Sequence, residues 1–104
     1  MQRIAFKMQL HTGFEEEYTK RHEKLWPELQ ELLTGSGISD YSIFLDKTTN
    51  SLFGVLKVGD AAKLDELPSY PVMQKWWAYM KDIMVTNTDN SPVSIPLKEV
   101  FYLP

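Results

Sequence analysis

His22, Tyr18, Tyr41, Trp76 and Trp77 are the side chains whose type and spacing point to chemistry. Histidine titrates near neutrality, so it can both give and take a proton. Phe14, Tyr18, His22, Leu25 and Leu29 follow one another at spacings of four, four, three and four. That spacing places His22 on an apolar helical stripe, with a phenol one turn before it. Glu16 with Lys20 and Glu17 with Arg21 make i,i+4 pairs expected to point outward. A histidine on an apolar stripe has two readings. It is a half-buried residue satisfied by one hydrogen bond, or it is the proton-transfer group of a pocket.

Trp76-Trp77 is the second unusual feature. Adjacent helical residues lie about 100° apart, so one indole can enter the core while the other lines a cleft. Two indoles beside a half-buried histidine favour a pocket. Indole faces can receive the C–H face of a sugar while the indole N–H donates to a hydroxyl, but the residues by themselves do not name the ligand. Core packing is the plainer reading of Trp76. Tyr41 shares a strand face with Ile43 and Leu45, which would aim its phenol at the gap where His22 points. The loop run Asp89-Asn90-Ser91 can hydrogen-bond a polyol, although such residues are also common in turns. Other chemistries lack their residues. There is no cysteine, and the two histidines have no Asp or Glu at a recognisable metal spacing. No glycine-rich phosphate loop or serine-nucleophile signature is present.

The elements that must position these residues follow from periodicity. Ile4, Phe6, Met8 and Leu10 alternate with Ala5, Lys7 and Gln9, the pattern of a half-buried strand. Thr12 is a candidate helix cap, followed by Glu15, Glu16 and Glu17 where the helix dipole favours acids. A helix is predicted from Phe14 to Leu33, with a kink or restart near Trp26 imposed by Pro27. Gly35-Ser36-Gly37 ends it. Ile38–Leu45 and Ser51–Val58 read as a strand pair joined by a polar turn. A second helical region starts near Asp60, is interrupted by Pro68 and Pro71, and firms from Val72 to Met84. Its apolar face is Val72, Trp76, Tyr79, Met80 and Ile83. Residues 85–96 read as a long loop, and Leu97–Leu103 as a closing strand. The order strand, helix, strand, strand, helix, strand is the split βαβ pattern. It predicts an α+β, ferredoxin-like βαββαβ sandwich, with both helices on one face of a four-stranded antiparallel sheet.

Composition bounds what such a fold can do. At 104 residues and 43% hydrophobic content, one domain spanning residues 1–104 is expected. The sheet face away from the helices needs cover, so a homodimer is the economical solution. A net charge of −3 with interspersed signs supplies no basic block, which argues against nucleic acid as a partner. No apolar run approaches the ~20 residues that span a bilayer, and Arg3 and Lys7 break the apolar N-terminus. The expected address is soluble and cytoplasmic, with no membrane partner.

The same residues resemble the L-rhamnose mutarotase family. The likeness lies in three blocks that cover most of the chain in register. The first is Tyr18 with Arg21-His22-Glu23-Lys24-Leu25-Trp26-Pro27-Glu28-Leu29. The second is Tyr41-Ser42-Ile43-Phe44-Leu45-Asp46, then Asn50 and Leu52-Phe53. The third is Gln74-Lys75-Trp76-Trp77-Ala78-Tyr79-Met80, resuming at Asp89-Asn90-Ser91-Pro92-Val93-Ser94 and at Glu99-Val100-Phe101-Tyr102-Leu103. The resemblance implies a dimeric α/β-barrel type of fold and an isomerase of L-rhamnose metabolism. It implies exchange of the α and β anomers of L-rhamnopyranose by acid–base ring opening and closure, without metal or organic cofactor. It also implies a proton-donor role for His22 and sugar-binding roles for Tyr18, Tyr41, Trp76 and Trp77. The base is left open between a tyrosine relay, a bound water and His22 itself. The chain departs from the family pattern at Leu64, Pro68 and Pro71, where the local helix path is expected to differ. A cofactor-free oxygenase of the related barrel type and a non-catalytic sugar-binding module are the competing readings. Oxygen uptake would mark the first, and binding without acceleration the second.

Overall fold

A computed structural model describes residues 1–104. The chain forms four antiparallel strands in the order β2-β3-β1-β4, with four α-helices, so the fold is α+β. Strand β1 is Gln2–Gln9, β2 Ile38–Asp46, β3 Ser51–Val58 and β4 Ile95–Leu97. Helix α1 is Glu15–Glu23, α2 Pro27–Gly35, α3 Ala62–Glu66 and α4 Pro71–Met80.

Pro27 divides the first helical region into two helices rather than bending one. Trp26 before it is extended (φ −62°, ψ 132°), as steric conflict with the proline ring demands, and Pro27 starts α2 at its first position. Thr12 does not cap α1. The N-terminal residue is Phe14, with no side-chain cap, and the Thr12 hydroxyl instead accepts from Asn50 Nδ2 at 3.3 Å. Glu15, Glu16 and Glu17 occupy the first turn as the dipole favours. Pro71 likewise starts α4, and a short 3₁₀ turn at Leu67–Ser69 accommodates Pro68.

Two predicted boundaries are corrected. Helix α4 stops at Met80, not Met84, and Ile83 and Met84 are buried from the turn beyond it. The last strand is Ile95–Leu97, paired with Lys7–Ala5, and residues 98–104 are not strand. Leu97 is therefore its end and not its start.

Register divides the sheet into two faces. Ile4, Phe6 and Met8 lie opposite Leu56, Gly54 and Leu52. This face meets the helices: Met8, Leu10 and Leu52 cluster with Tyr18, Leu29, Met73, Trp76, Met80, Ile83 and Met84. A second cluster of Ile38, Leu56 and Val58 closes the far end. On the other face one row across the four strands reads Phe44, Phe53, Lys7, Ile95, and the next reads Ser42, Val55, Ala5, Leu97. Phe44 is 62% exposed and Ile95 54%.

Candidate active site

Helix α1 ends its apolar stripe with Tyr18 and His22, one turn apart on the side that faces the sheet. Their rings stack at 4.3 Å between centroids, inclined by 30°. His22 Nδ1 lies 2.9 Å from the Tyr18 carbonyl oxygen. A carbonyl can only accept, so Nδ1 carries the proton and Nε2 keeps its lone pair in the neutral ring. Burial lowers the His22 pKa from its ordinary 6.5, and the bond to Tyr18 opposes that in part. The opposing wall comes from α4, where Trp76 meets the His22 ring edge-on at 5.4 Å.

Tyr41 arrives by a different device. β2 and β3 pair Ser39 with Lys57 but Ser42 with Val55, so β2 carries one extra residue between them. Asp40 absorbs the bulge in a left-handed conformation (φ 47°), its carboxylate 3.3 Å from Lys57 Nζ. The bulge lets Tyr41 share the inner face with Ile43 and Leu45 although Ile38 is also inward. Its ring abuts Phe6 at 6.1 Å. Tyr41 is 39% exposed as a residue, yet its phenol is enclosed and burial pushes its pKa up to about 12. Burial, reinforced by Tyr41, pushes the Tyr18 phenol well above its ordinary range.

These groups line one cavity of about 90 Å³. The structure brings all five sequence-predicted residues to it: Tyr18, His22, Tyr41, Trp76 and Trp77. Trp76 is only 6% exposed and belongs to the core, while Trp77 is half-buried. One indole thus serves core and cavity together. The apolar wall is Met8, Ile43, Met73, Met80, Met84 and Pro92. No buried side-chain nitrogen or oxygen is left both sealed and unpaired. The Tyr18 hydroxyl, His22 Nε2 and the Trp76 N–H have no protein partner, so they are open to a ligand or to water.

Of the loop run Asp89-Asn90-Ser91, only Asn90 reaches the cavity. Asp89 is turned back, its carboxylate accepting from the Ser91 backbone N–H at 3.0 Å. Thr86 and four methionines also line the cavity, and the pattern of residues did not single them out. The methionines read as ordinary core, and a loop threonine carries no periodic signal. The outward pairing expected of α1 is also corrected. Glu16 does not meet Lys20. Arg21 does bond Glu17 at 3.2 Å, but it turns across to α4, where Nη1 donates to the Tyr79 carbonyl at 2.7 Å and to Asp82 at 2.9 Å. Tyr79 is not a core residue; Arg21 lies over its ring at 4.4 Å. No group of three or more Asp, Glu or His side chains comes together in a way that would hold a metal ion.

The arrangement offers one imidazole with a free lone pair, two protonated phenols and indole surfaces around one cavity. Known proteins resemble the chain over its whole length. The family described as L-rhamnose mutarotase matches residues 3–103. An L-rhamnose mutarotase of Sinorhizobium fredii is 57% identical over 103 residues, covering 99% of each chain. One of Brucella anthropi is 54% identical over 103 residues, 99% of this chain and 97% of the relative. The crystal structure of an L-rhamnose mutarotase from Formosa agariphila superposes with a TM-score of 0.93 at 50% identity, covering all of both chains. On its sequence and its fold, the chain belongs to the L-rhamnose mutarotase family.

Proposed function

We propose that this protein exchanges the α and β anomers of L-rhamnopyranose and that His22 carries the proton. One observation supports the residue assignment above the others. The Nδ1–H bond to the Tyr18 carbonyl holds the imidazole so that its unpaired Nε2 is left for a ligand in the aromatic cavity.

The chemistry follows from the sugar. The anomeric hydroxyl oxygen and the ring oxygen are bonded to the same carbon, so a single Nε2 can reach both. Neutral His22 takes the anomeric O–H proton at Nε2. That oxygen's electron pair forms the carbonyl, the bond from C1 to the ring oxygen breaks, and the imidazolium gives its proton to the ring oxygen. This last transfer is the donor role. Rotation about C1–C2 and the reverse sequence close the ring on the opposite carbonyl face, and His22 returns to its starting form. Tyr18 and Tyr41 stay protonated at neutral pH. They therefore serve as hydrogen-bond donors and not as bases. Trp76 and Trp77 offer the indole surfaces against which the sugar is held.

His22→Gln tests this reading, because glutamine keeps a hydrogen-bond donor and cannot shuttle a proton. Exchange between the two anomeric proton signals of L-rhamnose should slow by about two to four orders of magnitude. Circular dichroism should stay unchanged, since one lost hydrogen bond is worth only ~0.5–1.5 kcal/mol. Exchange at the unmodified rate would remove His22 from the mechanism.

Two broader features complete the proposal. The strand order β2-β3-β1-β4 supports a ferredoxin-like split βαβ arrangement in one domain over residues 1–104. The exposed apolar rows on the outer sheet face support a homodimer, with two sheets covering each other.

A further inference from the structure

Asn90 lines the cavity, and the proton shuttle gives it nothing to do. Its backbone is left-handed (φ 72°), a conformation asparagine tolerates better than most side chains. The turn around it is closely braced. Asn87 N–H donates to the Ser91 carbonyl at 2.7 Å, Asn87 Nδ2 to Ser91 Oγ at 3.0 Å, and Asn90 N–H to the Asn87 carbonyl at 3.0 Å. Thr86 and Pro92 bridge across its base. The side chains of Asn87, Asp89 and Ser91 bond within the turn, while the half-buried Asn90 amide has no protein partner and is not sealed. A rigid support thus presents a free amide to a space otherwise walled largely by methionine and aromatic carbon.

The ligand's chemistry gives that amide a partner. With the anomeric carbon held at His22, the hydroxyls on C2, C3 and C4 of a 6-deoxyhexose still lose water on binding and need replacements. Methionine and isoleucine offer none. A carboxamide offers an acceptor and two donors without charge, which matches a vicinal diol. Resting on the reading of this cavity as the L-rhamnose site, we propose that Asn90 is a specificity-determining residue whose amide hydrogen-bonds a ring hydroxyl remote from the anomeric carbon.

The test compares the unmodified protein with Asn90→Gly and Asn90→Asp by anomer-exchange NMR. Substrates are L-rhamnose and its analogues deoxygenated singly at C2, C3 or C4. Glycine keeps the left-handed backbone and removes only the amide, and aspartate keeps the acceptor without the N–H donors. Asn90→Gly should raise KM for L-rhamnose about tenfold, equivalent to ~1.4 kcal/mol, with a smaller change in kcat. On the analogue that lacks the contacted hydroxyl, unmodified and variant proteins should converge, whereas a merely structural role would penalise every sugar alike. Equal KM values on L-rhamnose, or an equal loss on all analogues, would overturn the role of Asn90 while leaving the exchange activity in place. Absence of exchange by the unmodified protein would instead overturn the underlying reading, and this inference with it.

Discussion

His22 is the residue to which the proposed chemistry assigns the proton. Its position on the apolar stripe costs it solvent, and loss of solvent disfavours the imidazolium. The neutral form therefore prevails at pH 7, with the proton fixed on Nδ1 by the Tyr18 carbonyl. This form starts the proposed shuttle. After subtraction of the uncatalysed reaction, the exchange rate should hold from pH 7 upward and fall as pH drops through the depressed His22 value, below its ordinary 6.5. A rate that rises on acidification would make the imidazolium the starting form. The same shift carries a stability consequence. The unfolded chain binds this proton more tightly than the folded one, so the histidine's contribution is complete above the unfolded value of about 6.5 and is lost as pH falls through the folded value.

At the scale of elements, the site depends on what the sheet allows at Gly54. Gly54 pairs with Phe6 on one side and Ile43 on the other. A Cβ there would lie 2.6 Å from Phe6 Cε2, so the missing side chain is the space the phenyl ring occupies. That ring in turn meets Tyr41. Gly54→Ala should therefore destabilise the protein by ~1–3 kcal/mol in urea unfolding, the usual cost of overpacking, and should also displace Tyr41 from the cavity. Unchanged stability would mean that Phe6 can move aside freely. Such a dependence explains which parts of the site were legible in sequence. Tyr18 and His22 follow from one helical spacing, and Tyr41 from alternation with Ile43 and Leu45. The bulge at Asp40 was hidden, because alternation on either side of it looks regular. The Thr12 cap failed because a hydroxyl with two available partners, the helix start and Asn50, gives no sequence sign of which one wins. The overrun of α4 to Met84 has a similar cause: Ile83 and Met84 are buried, and burial alone mimics helical periodicity. Thr86 reaches the cavity only through the path of its loop.

The whole molecule presents two unlike faces. One is covered by helices and encloses the cavity. The other exposes Phe44 on one edge strand and Ile95 and Leu97 on the opposite edge, with half-buried Phe53, Val55 and Ala5 and the charged Lys7 completing the rows between them. Isolated exposed apolar residues are ordinary, but contiguous rows on a sheet face mark a surface that is covered by something. A second copy meets the requirement because its own rows have the same composition, and a two-fold axis brings each against the other. The prediction is sedimentation at micromolar concentration with twice the 12.1 kDa chain mass. Phe44→Lys supplies the decisive variant. On a monomer's surface this change should alter folding stability by no more than about 0.5 kcal/mol, because Phe44 has little packing to lose. Within a sheet-to-sheet interface the same change sets two ammonium groups into an apolar contact without partners, where burial of an unpaired charge is strongly unfavourable. Phe44→Lys should therefore sediment at the mass of one chain while keeping its secondary structure. A Phe44→Lys protein that still sediments as a dimer would place the interface on another surface.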